Sequence, residues 1–386
     1  MKNNFLLFLL CLLPYSLHAF ELRGFFTTGI SFSDNKNQLY RFSQINEDIS
    51  YLSDSVAGLQ FDFEVSDQTK IIMQAVAKNN NDHFDVSMDW LYITHQLSSH
   101  TTFRGGRILL PLFLRSSTID VGLSYPWIRP PAEVYELGLF KGMGGVDLLF
   151  KTSMLEREVL LHPFAGEISE ELATSVLPGG DVSITSEALW GIESRVLSRY
   201  GETRVAYMNA DVQLELDPSF GASVDVLTSI VSSLGTLAPP SATAQLSLLG
   251  APISADSSFT SIGGHYLVGN VEILWEAANR RISFAGGGAS KTRGYYVTLM
   301  WDHDKYQPTL TLARRDEHPA SDSASPAQEQ DSITLGIQRR LDHKILVKTE
   351  ISNVHPRNGT AGLLVNNTLA GEGDLTVFNL AVNAQF

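Results

Sequence analysis

Apolar and polar residues alternate one by one through many segments of this 386-residue chain. Between residues 57 and 65, for example, the odd positions are apolar and the even positions are Gly, Gln, Asp and Glu. This period of two is typical of a β-strand with one apolar and one polar face. No stretch after residue 20 reaches the ~18 consecutive apolar residues that a membrane helix needs. The pattern therefore predicts an all-β fold.

Sixteen strands are predicted, most of them about ten residues long, which suits a tilted strand that crosses a membrane. They lie near 20–33, 54–66, 69–78, 86–97, 100–109, 144–152, 156–165, 187–197, 202–211, 258–268, 270–278, 293–303, 306–315, 332–341, 343–353 and 374–386. The connections between them are alternately short and long. A soluble sandwich has no reason to keep this rhythm, whereas a membrane barrel has short turns on one side and long loops on the other.

The long connections are predicted near 34–53, 79–85, 110–143, 166–186, 212–257, 279–292, 316–331 and 354–373. Because the first and the last connection are both long, both termini of the chain are expected on the short-turn side. The predicted fold class is a closed antiparallel transmembrane β-barrel of about 16 strands, with short periplasmic turns and long external loops.

The first nineteen residues are typical of a secretory signal peptide. Lys2 supplies the positive charge, Phe5–Leu13 is the apolar run, and Leu17-His18-Ala19 ends in a small residue suited to cleavage. We therefore expect residues 1–19 to be a signal peptide and residues 20–386 to form the barrel.

Composition argues against several classes of function. Lys and Arg total 28 against 42 Asp and Glu, a net charge of −14, so no basic surplus is available to bind nucleic acid. The single Cys rules out a disulfide framework. The ten His form no HExxH pair, and no G-x-S-x-G motif occurs. We expect no enzyme activity, metal or cofactor, although a hydrolase built from a distant Ser and His stays open.

The closing run Leu375–Phe386 alternates apolar residues and ends in Phe386. With sixteen strands and a long third loop, the chain resembles the general porins of Gram-negative outer membranes. The resemblance implies an outer-membrane channel for passive diffusion of small hydrophilic solutes and ions, assembled as a homotrimer. It also implies contact with outer-membrane lipid and lipopolysaccharide, and recognition of Phe386 by the assembly machinery. The alternative is a structural or adhesive barrel that binds a partner through its external loops.

In porins the third external loop folds into the barrel and narrows the channel, and segment 110–143 corresponds to it. Its Tyr125–Pro131 run contains three prolines, which lower the entropy of the free loop. Opposite charges facing each other in a narrow lumen would order polar solutes and set the ion preference. The alternative is a proline-rich surface loop held by aromatic packing. The predicted constriction residues are Arg115, Asp120, Arg129, Glu133, Glu136 and Lys141.

Polar-face residues of the strands are predicted to line the pore wall. They are Arg23, Asp62, Glu64, Lys70, Gln74, Glu193, Arg195, Arg204, Glu272, Glu276, Lys348 and Glu350. Outward aromatic girdles are predicted from Trp90, Tyr92, Trp190, Tyr207, Trp275, Tyr295 and Trp301.

The segment 212–257 is an insertion in the pattern. Leu227, Ile230, Val231 and Leu234 have helical spacing, which predicts a short helix that packs on the loops, plugs the mouth or lies in a subunit contact. Gln245–Leu249 is compatible with a strand, so an eighteen-strand barrel stays possible.

Overall fold

The computed structural model describes residues 20–35, 38–40, 45–80, 83–138, 140–173, 181–216, 253–285, 288–303, 305–319, 327–360, 362–366 and 373–386. The signal peptide predicted over residues 1–19 lies outside the described residues. The same is true of the predicted helix around Leu227 and of the possible strand Gln245–Leu249.

Within the described residues, sixteen antiparallel strands close into a barrel, as the alternation predicts. The eighteen strands of the structure are β1 (Phe20–Ser33), β2 (Gln38–Tyr40), β3 (Val56–Ser66), β4 (Thr69–Asn80), β5 (His83–Gln96), β6 (Thr101–Leu109), β7 (Gly142–Met154), β8 (Arg157–Ala173), β9 (Asp181–Ser198), β10 (Gly201–Leu216), β11 (Ile253–Val268), β12 (Val271–Phe284), β13 (Ala289–Trp301), β14 (Gln307–His318), β15 (Gln330–Arg340), β16 (Ile345–Pro356), β17 (Leu364–Asn366) and β18 (Leu375–Gln385). The short strands β2 and β17 form a separate two-stranded sheet, and the other sixteen form the barrel.

Each barrel strand pairs with the next one along the chain, and β1 closes the barrel against β18. Their register runs from Phe25 opposite Gln385 to Ser33 opposite Val377. The Gly24 amide donates to the Phe386 carbonyl at 2.9 Å. The start of β1 and the end of β18 therefore both lie on the short-turn side, as predicted. Because β10 pairs directly with β11, the barrel has sixteen strands rather than eighteen.

The strands extend further than predicted at the end of the barrel that carries the long loops, which we call the long-loop end. β4 runs to Asn80 and β5 begins at His83, so the long loop predicted over 79–85 is wrong. In the same way, strands β10 and β11 take residues 212–216 and 253–257 from the predicted insertion. Backbone hydrogen bonds continue the ladder beyond the segment where apolar and polar residues alternate, so the alternation underestimates strand length.

The outer face of the barrel is apolar. Large hydrophobic side chains point outward from strands all round the circumference, for example Phe26 (41% exposed), Ile192 (43%) and Leu335 (55%). A continuous apolar surface of this kind needs lipid or a partner to cover it. Among the described residues, no helix has the length and apolar character required to cross a bilayer.

A bulge in β5 reverses the direction of two predicted girdle residues. Opposite β5, Gln74 pairs with Trp90 but Ala75 pairs with Met88, so Asp89 is an extra residue in the strand. From Trp90 onward the parity is inverted, and Trp90 and Tyr92 point into the barrel. Their assignment to the outer girdle is wrong. The other five lie on the outer face, as predicted: Trp190, Tyr207, Trp275, Tyr295 and Trp301.

Candidate functional site

The chain between β6 and β7, residues 110–141, lies inside the barrel; we call this segment the inner loop. The indole of Trp127, 2% exposed, donates to the hydroxyls of Thr298 (2.9 Å) and Thr311 (3.0 Å) on the wall. On another side of the barrel, the Ile128 amide donates to the Glu350 carboxylate at 2.8 Å. The segment leaves β6 and returns to β7, which lie across the barrel from β13, β14 and β16 in the strand order, so it must cross the lumen to make these contacts.

The local structure of the inner loop follows from its prolines and small residues. Two 3₁₀ turns, Ser116–Thr118 and Gly122–Ser124, precede the proline run. Pro131 is the N-cap of the four-residue helix α1 (Ala132–Tyr135), and its carbonyl accepts hydrogen bonds from the amides of Val134 (3.1 Å) and Tyr135 (3.0 Å). A Cβ on Gly122 would lie 1.8 Å from the side-chain oxygen of Asn383, so any larger residue would force the Asn383 side chain to move.

Wall cations hold the inner loop by its backbone. The ammonium of Lys348 donates to the carbonyls of Gly122 (2.5 Å), Tyr125 (2.7 Å) and Trp127 (2.5 Å). A buried carbonyl without a donor costs ~1–3 kcal/mol, so these bonds are a large part of what fixes the loop path. Lys348 is therefore a loop anchor rather than an open pore-wall charge.

Arg204 is a second anchor. Its guanidinium donates to the carbonyls of Pro111 and Leu112, the latter at 3.0 Å, where the loop leaves β6. Glu193 at 2.8 Å and Glu276 at 3.5 Å balance its charge. Glu276 in turn accepts a hydrogen bond from the Leu114 amide at 2.8 Å. Three predicted wall residues thus act together on the start of the inner loop.

One half of the lumen is filled by an apolar core. Loop side chains pack there against inward side chains of β8–β14, which places a dry cluster inside a barrel whose outside is also apolar. Polar residues line the opposite half, on β1, β15, β16 and β18. The main members of the cluster are Leu110, Leu112, Phe113, Leu114, Trp127, Val134, Leu137, Phe140, Phe164, Ile168, Ile184, Leu189, Met208, Phe259, Leu274, Ile282, Phe284 and Tyr296.

The charged residues predicted for the constriction lie along the inner loop, mostly in contact with wall partners. Arg129 pairs with Asp54, Nη2 to Oδ2 at 2.6 Å. Arg115 lies 3.2 Å from His265 Nδ1. Glu133, 1% exposed, accepts a hydrogen bond from Gln330 at 2.7 Å. These contacts attach the inner loop to its surroundings. The sequence had predicted a different arrangement, in which opposite charges face each other across an open lumen.

Asp120 and Lys141 form the centre of a further ion cluster. Lys141 bonds Asp120 at 2.6 Å and also Asp89, and Lys78 pairs with Asp120. Burial alone would raise the pKa of Asp120, but the two ammonium groups outweigh it and hold that pKa below its ordinary value. Burial would lower the pKa of Lys141, but the two carboxylates raise it. Both groups therefore stay charged over a wide pH range.

Asp120→Asn is expected to loosen the inner loop at neutral pH and to raise the conductance of the protein in a bilayer. Because the pKa of Asp120 is lowered in the docked loop, Asp120 stabilises docking at pH values above its ordinary pKa of about 4. This contribution is lost as pH falls through the lowered pKa. Because the pKa of Lys141 is raised in the docked loop, Lys141 stabilises docking below its ordinary pKa of about 10. That contribution is lost only as pH rises above this value. The conductance difference between variant and parent should therefore persist from about pH 5 to about pH 9 and vanish in stronger acid. Equal conductance of the two proteins at pH 7 would contradict this role.

All twelve predicted wall residues point inward. At the short-turn end the side chains are partly exposed ion pairs, such as Glu64 with Lys70 at 2.7 Å and Arg23 with Asp62. Glu272 lies at the same end, 3.1 Å from His265 Nε2. Deeper in the barrel the side chains are buried. The deeper members are Gln74, Glu193, Arg204, Glu276, Lys348 and Glu350.

Several inward ionisable residues of the wall were not predicted from the sequence, among them Asp147 and His162. His162 has Asp147 Oδ2 at 2.8 Å from Nε2 and Glu193 Oε2 at 3.0 Å from Nδ1, and Arg104 reaches Asp147 at 2.5 Å. The network borders a cavity of about 190 Å³. His162 lies on the inward parity of the predicted strand 156–165, so parity alone would have found it.

A larger cavity of about 390 Å³ lies between the inner loop and the polar half of the wall. Residues next to the start of β3 and at the end of β4 border it, so it lies toward the long-loop end. The inner loop contributes Ile119–Asp120 and most of Tyr125–Glu136 to its lining. The inner loop thus narrows the barrel and leaves a polar space on one side.

Gly294→Val is expected to push α1 off the wall and to raise conductance. A Cβ at Gly294 would lie 2.1 Å from the Glu133 carbonyl oxygen, and backbone cannot move aside as a flexible side chain can. Overpacking of this kind costs ~1–3 kcal/mol. The matched control is Gly144→Val, because a Cβ there has no neighbour closer than 3.9 Å. Equal single-channel conductance in the two variants would show that α1 does not narrow the pore.

Solved structures similar to this one include outer-membrane proteins. The anion-selective porin from Comamonas acidovorans aligns with a TM-score of 0.58 at 12% identity, covering 95% of this chain and 99% of the porin. The outer membrane channel DcaP of Acinetobacter baumannii gives 0.59 at 9%, covering 95% and 97%. The trimer form of in-vitro folded OmpT of Vibrio cholerae, an outer membrane protein, gives 0.57 at 11%, covering 95% and 99%.

These likenesses are to the fold. A scan against protein-family models and a search of curated proteins found no match. The chain has the sixteen-stranded fold seen in outer-membrane barrels of Gram-negative bacteria, and its apolar outer face agrees with the predicted outer-membrane location.

Proposed function

We propose that this protein is an outer-membrane channel through which small hydrophilic solutes and ions diffuse passively. The observation that carries the proposal is the inner loop, which crosses a closed barrel and leaves a polar cavity of about 390 Å³ beside it. A purely structural barrel gains nothing from a polar space bordered by charged groups. Filtering by size and by the field of those groups accounts for the arrangement.

Three further features belong to this proposal. The first is a homotrimer, which the trimer form of the similar OmpT supports. The second is contact of the apolar belt with outer-membrane lipid and lipopolysaccharide. The third is recognition of Phe386 by the assembly machinery. The Phe386 ring is 59% exposed and lies against Gly24 beside the seam between β1 and β18, where it is accessible to another protein.

Recording from the purified, folded protein in planar bilayers tests the function. Stepwise conductance is expected, with a reversal potential in an ion gradient that reports the selectivity of the lumen. Folded protein that never conducts would overturn the proposal. An assay for ester or lipid turnover on the same preparation tests the hydrolase alternative.

Arg129→Ala and Glu133→Ala are expected to change the reversal potential in opposite directions. Both side chains border the larger cavity, and each substitution removes one charge of opposite sign from it. Loss of the Arg129 cation should shift the preference toward cations, and loss of the Glu133 carboxylate should shift it toward anions. Unchanged selectivity in both variants would remove these two residues from the constriction.

A further inference from the structure

The larger cavity has two walls of different character. The inner loop forms one wall, with Tyr125, Pro130 and Pro131 among its lining residues. The barrel forms the other wall from hydroxyl and amide side chains on β1, β14, β15, β16 and β18. These are Thr27, Thr311, Ser332, Thr334, Ser352 and Asn379. A solute in the cavity therefore meets a wall rich in hydrogen-bonding oxygen atoms.

Carboxylates outnumber cations around the cavity. Its lining contains five acidic residues, which are Asp54, Asp120, Glu133, Glu136 and Glu350, and two basic residues, which are Lys78 and Arg129. Both cations are engaged, Arg129 with Asp54 and Ser31, and Lys78 with Asp120. Behind the lining, Lys141 is shared with Asp89, and Lys348 is turned toward three backbone carbonyls. The surplus charge that borders the cavity is therefore negative.

Oxygen acceptors in the same lining have no donor. Asn379 is 5% exposed, and its Oδ1 has no hydrogen-bond partner among the described residues. The same holds within the described chain for the Ser53 hydroxyl and for Asn79 Oδ1. Buried polar atoms are normally paired, so these acceptors lack donors that water or a solute must supply. This observation is independent of the charge count.

We propose that the cavity binds small organic cations with several N–H donors, such as alkyldiammonium or guanidinium groups. The assignment rests on the proposed channel function and names its preferred solute class. Ammonium and guanidinium groups have donors and no acceptors, which complements unpaired oxygens beside surplus carboxylates. An anion of equal size would meet the same carboxylates without a free cation among the lining residues.

Three four-carbon probes of matched length test the proposal: 1,4-diaminobutane, 1,4-butanediol and succinate. Binding to the folded full-length protein in detergent micelles is measured by calorimetry, and block of the current is measured in bilayers. The diamine is expected to bind and to block in a saturable manner, and the diol and succinate are expected to do neither. Binding should weaken as salt is added, because counter-ions screen the carboxylates.

Variants locate the binding site. Asn379→Leu removes the unpaired acceptor at similar volume, and Glu136→Gln removes one lining carboxylate. Each is expected to weaken diamine binding about tenfold or more, as loss of a charge-assisted partner does. Glu64→Gln is the matched control, because it removes an inner-wall carboxylate at the short-turn end, outside the cavity lining.

The outcomes separate this inference from the channel itself. A conducting protein that binds the three probes equally, or prefers succinate, overturns the cation site and leaves the channel standing. Diamine binding that is equal in all three variants also overturns the site. A folded protein that never conducts overturns the channel function, whatever the calorimetry shows.

Discussion

Lys348→Met is expected to release the inner loop and to raise single-channel conductance sharply. Lys348 is 1% exposed, and its ammonium donates to three loop carbonyls to which methionine cannot donate. Each carbonyl left unpaired costs ~1–3 kcal/mol in the docked state, so the three together lose ~3 kcal/mol or more. At 1.4 kcal/mol per factor of ten, the ratio of docked to released loop falls at least about a hundredfold.

Lys70→Met provides the control for this prediction. Lys70 also points into the barrel, but it is about half exposed and pairs with Glu64 at the short-turn end. Exposed ion pairs contribute ~0–1 kcal/mol, so its loss should leave loop docking unchanged. If Lys348→Met conducts like the parent protein, the carbonyl contacts do not hold the loop in place.

Arg204→Met is expected to be the most destabilising single substitution in the wall. Arg204 is fully buried between Glu193 and Glu276, and it also bonds two carbonyls of the loop. Removing one member of a buried ion pair leaves charge uncompensated and costs ~3–5 kcal/mol. The urea midpoint of unfolding in lipid vesicles, followed by tryptophan fluorescence, should fall accordingly.

Arg195→Met serves as the comparison, because Arg195 contacts the same carboxylate. It bonds Glu193 at 2.7 Å, but 28% of its side chain is exposed and water can replace part of that contact. A much smaller fall in the urea midpoint is expected. Equal falls for the two variants would mean that burial of the Arg204 charge is not what makes it important.

The fold could be predicted because the alternation directly reports two differently solvated faces. Within residues 57–65, the alternation alone indicates which side chains face outward, without knowledge of the partner strand. The ends of the strands could not be predicted in this way. At the long-loop end, β8 continues through Glu170 and β9 begins at Asp181, and their backbones pair although the side chains no longer alternate. Pairing there depends on neighbouring backbone, which a single strand's pattern does not contain.

The bulge at Asp89 marks another limit. One extra residue moves every later side chain of the strand to the opposite face, and residues 90–93 are all apolar, so their sequence does not show which of them face outward. Only the partner strand, where Gln74 and Ala75 face Trp90 and Met88, reveals the inversion. For this reason Tyr92 was predicted to face lipid. It lies inside the barrel instead, and the Arg104 guanidinium carbon is 5.3 Å from the centroid of the Tyr92 ring.

The candidate site could also be predicted only in part. The sequence predicted which charges the inner loop would carry and which wall residues point inward. It could not predict the pairing, because partners such as Arg129 and Asp54 are far apart in the chain and meet only in the closed barrel. The apolar half of the lumen also went unpredicted, although Leu274 between inward Glu272 and Glu276 was its visible sign.

The placement of the inner loop has a consequence for the order of assembly. Its anchors come from distant parts of the chain, among them Asp54, just before β3, and Glu350 on β16. These anchors cannot surround the loop until β1 has met β18, a contact between segments more than three hundred residues apart. Contacts over such separations form late in folding. A half-inserted barrel would therefore hold the inner loop without these anchors, and the narrowing of its lumen would be the last structural feature to form.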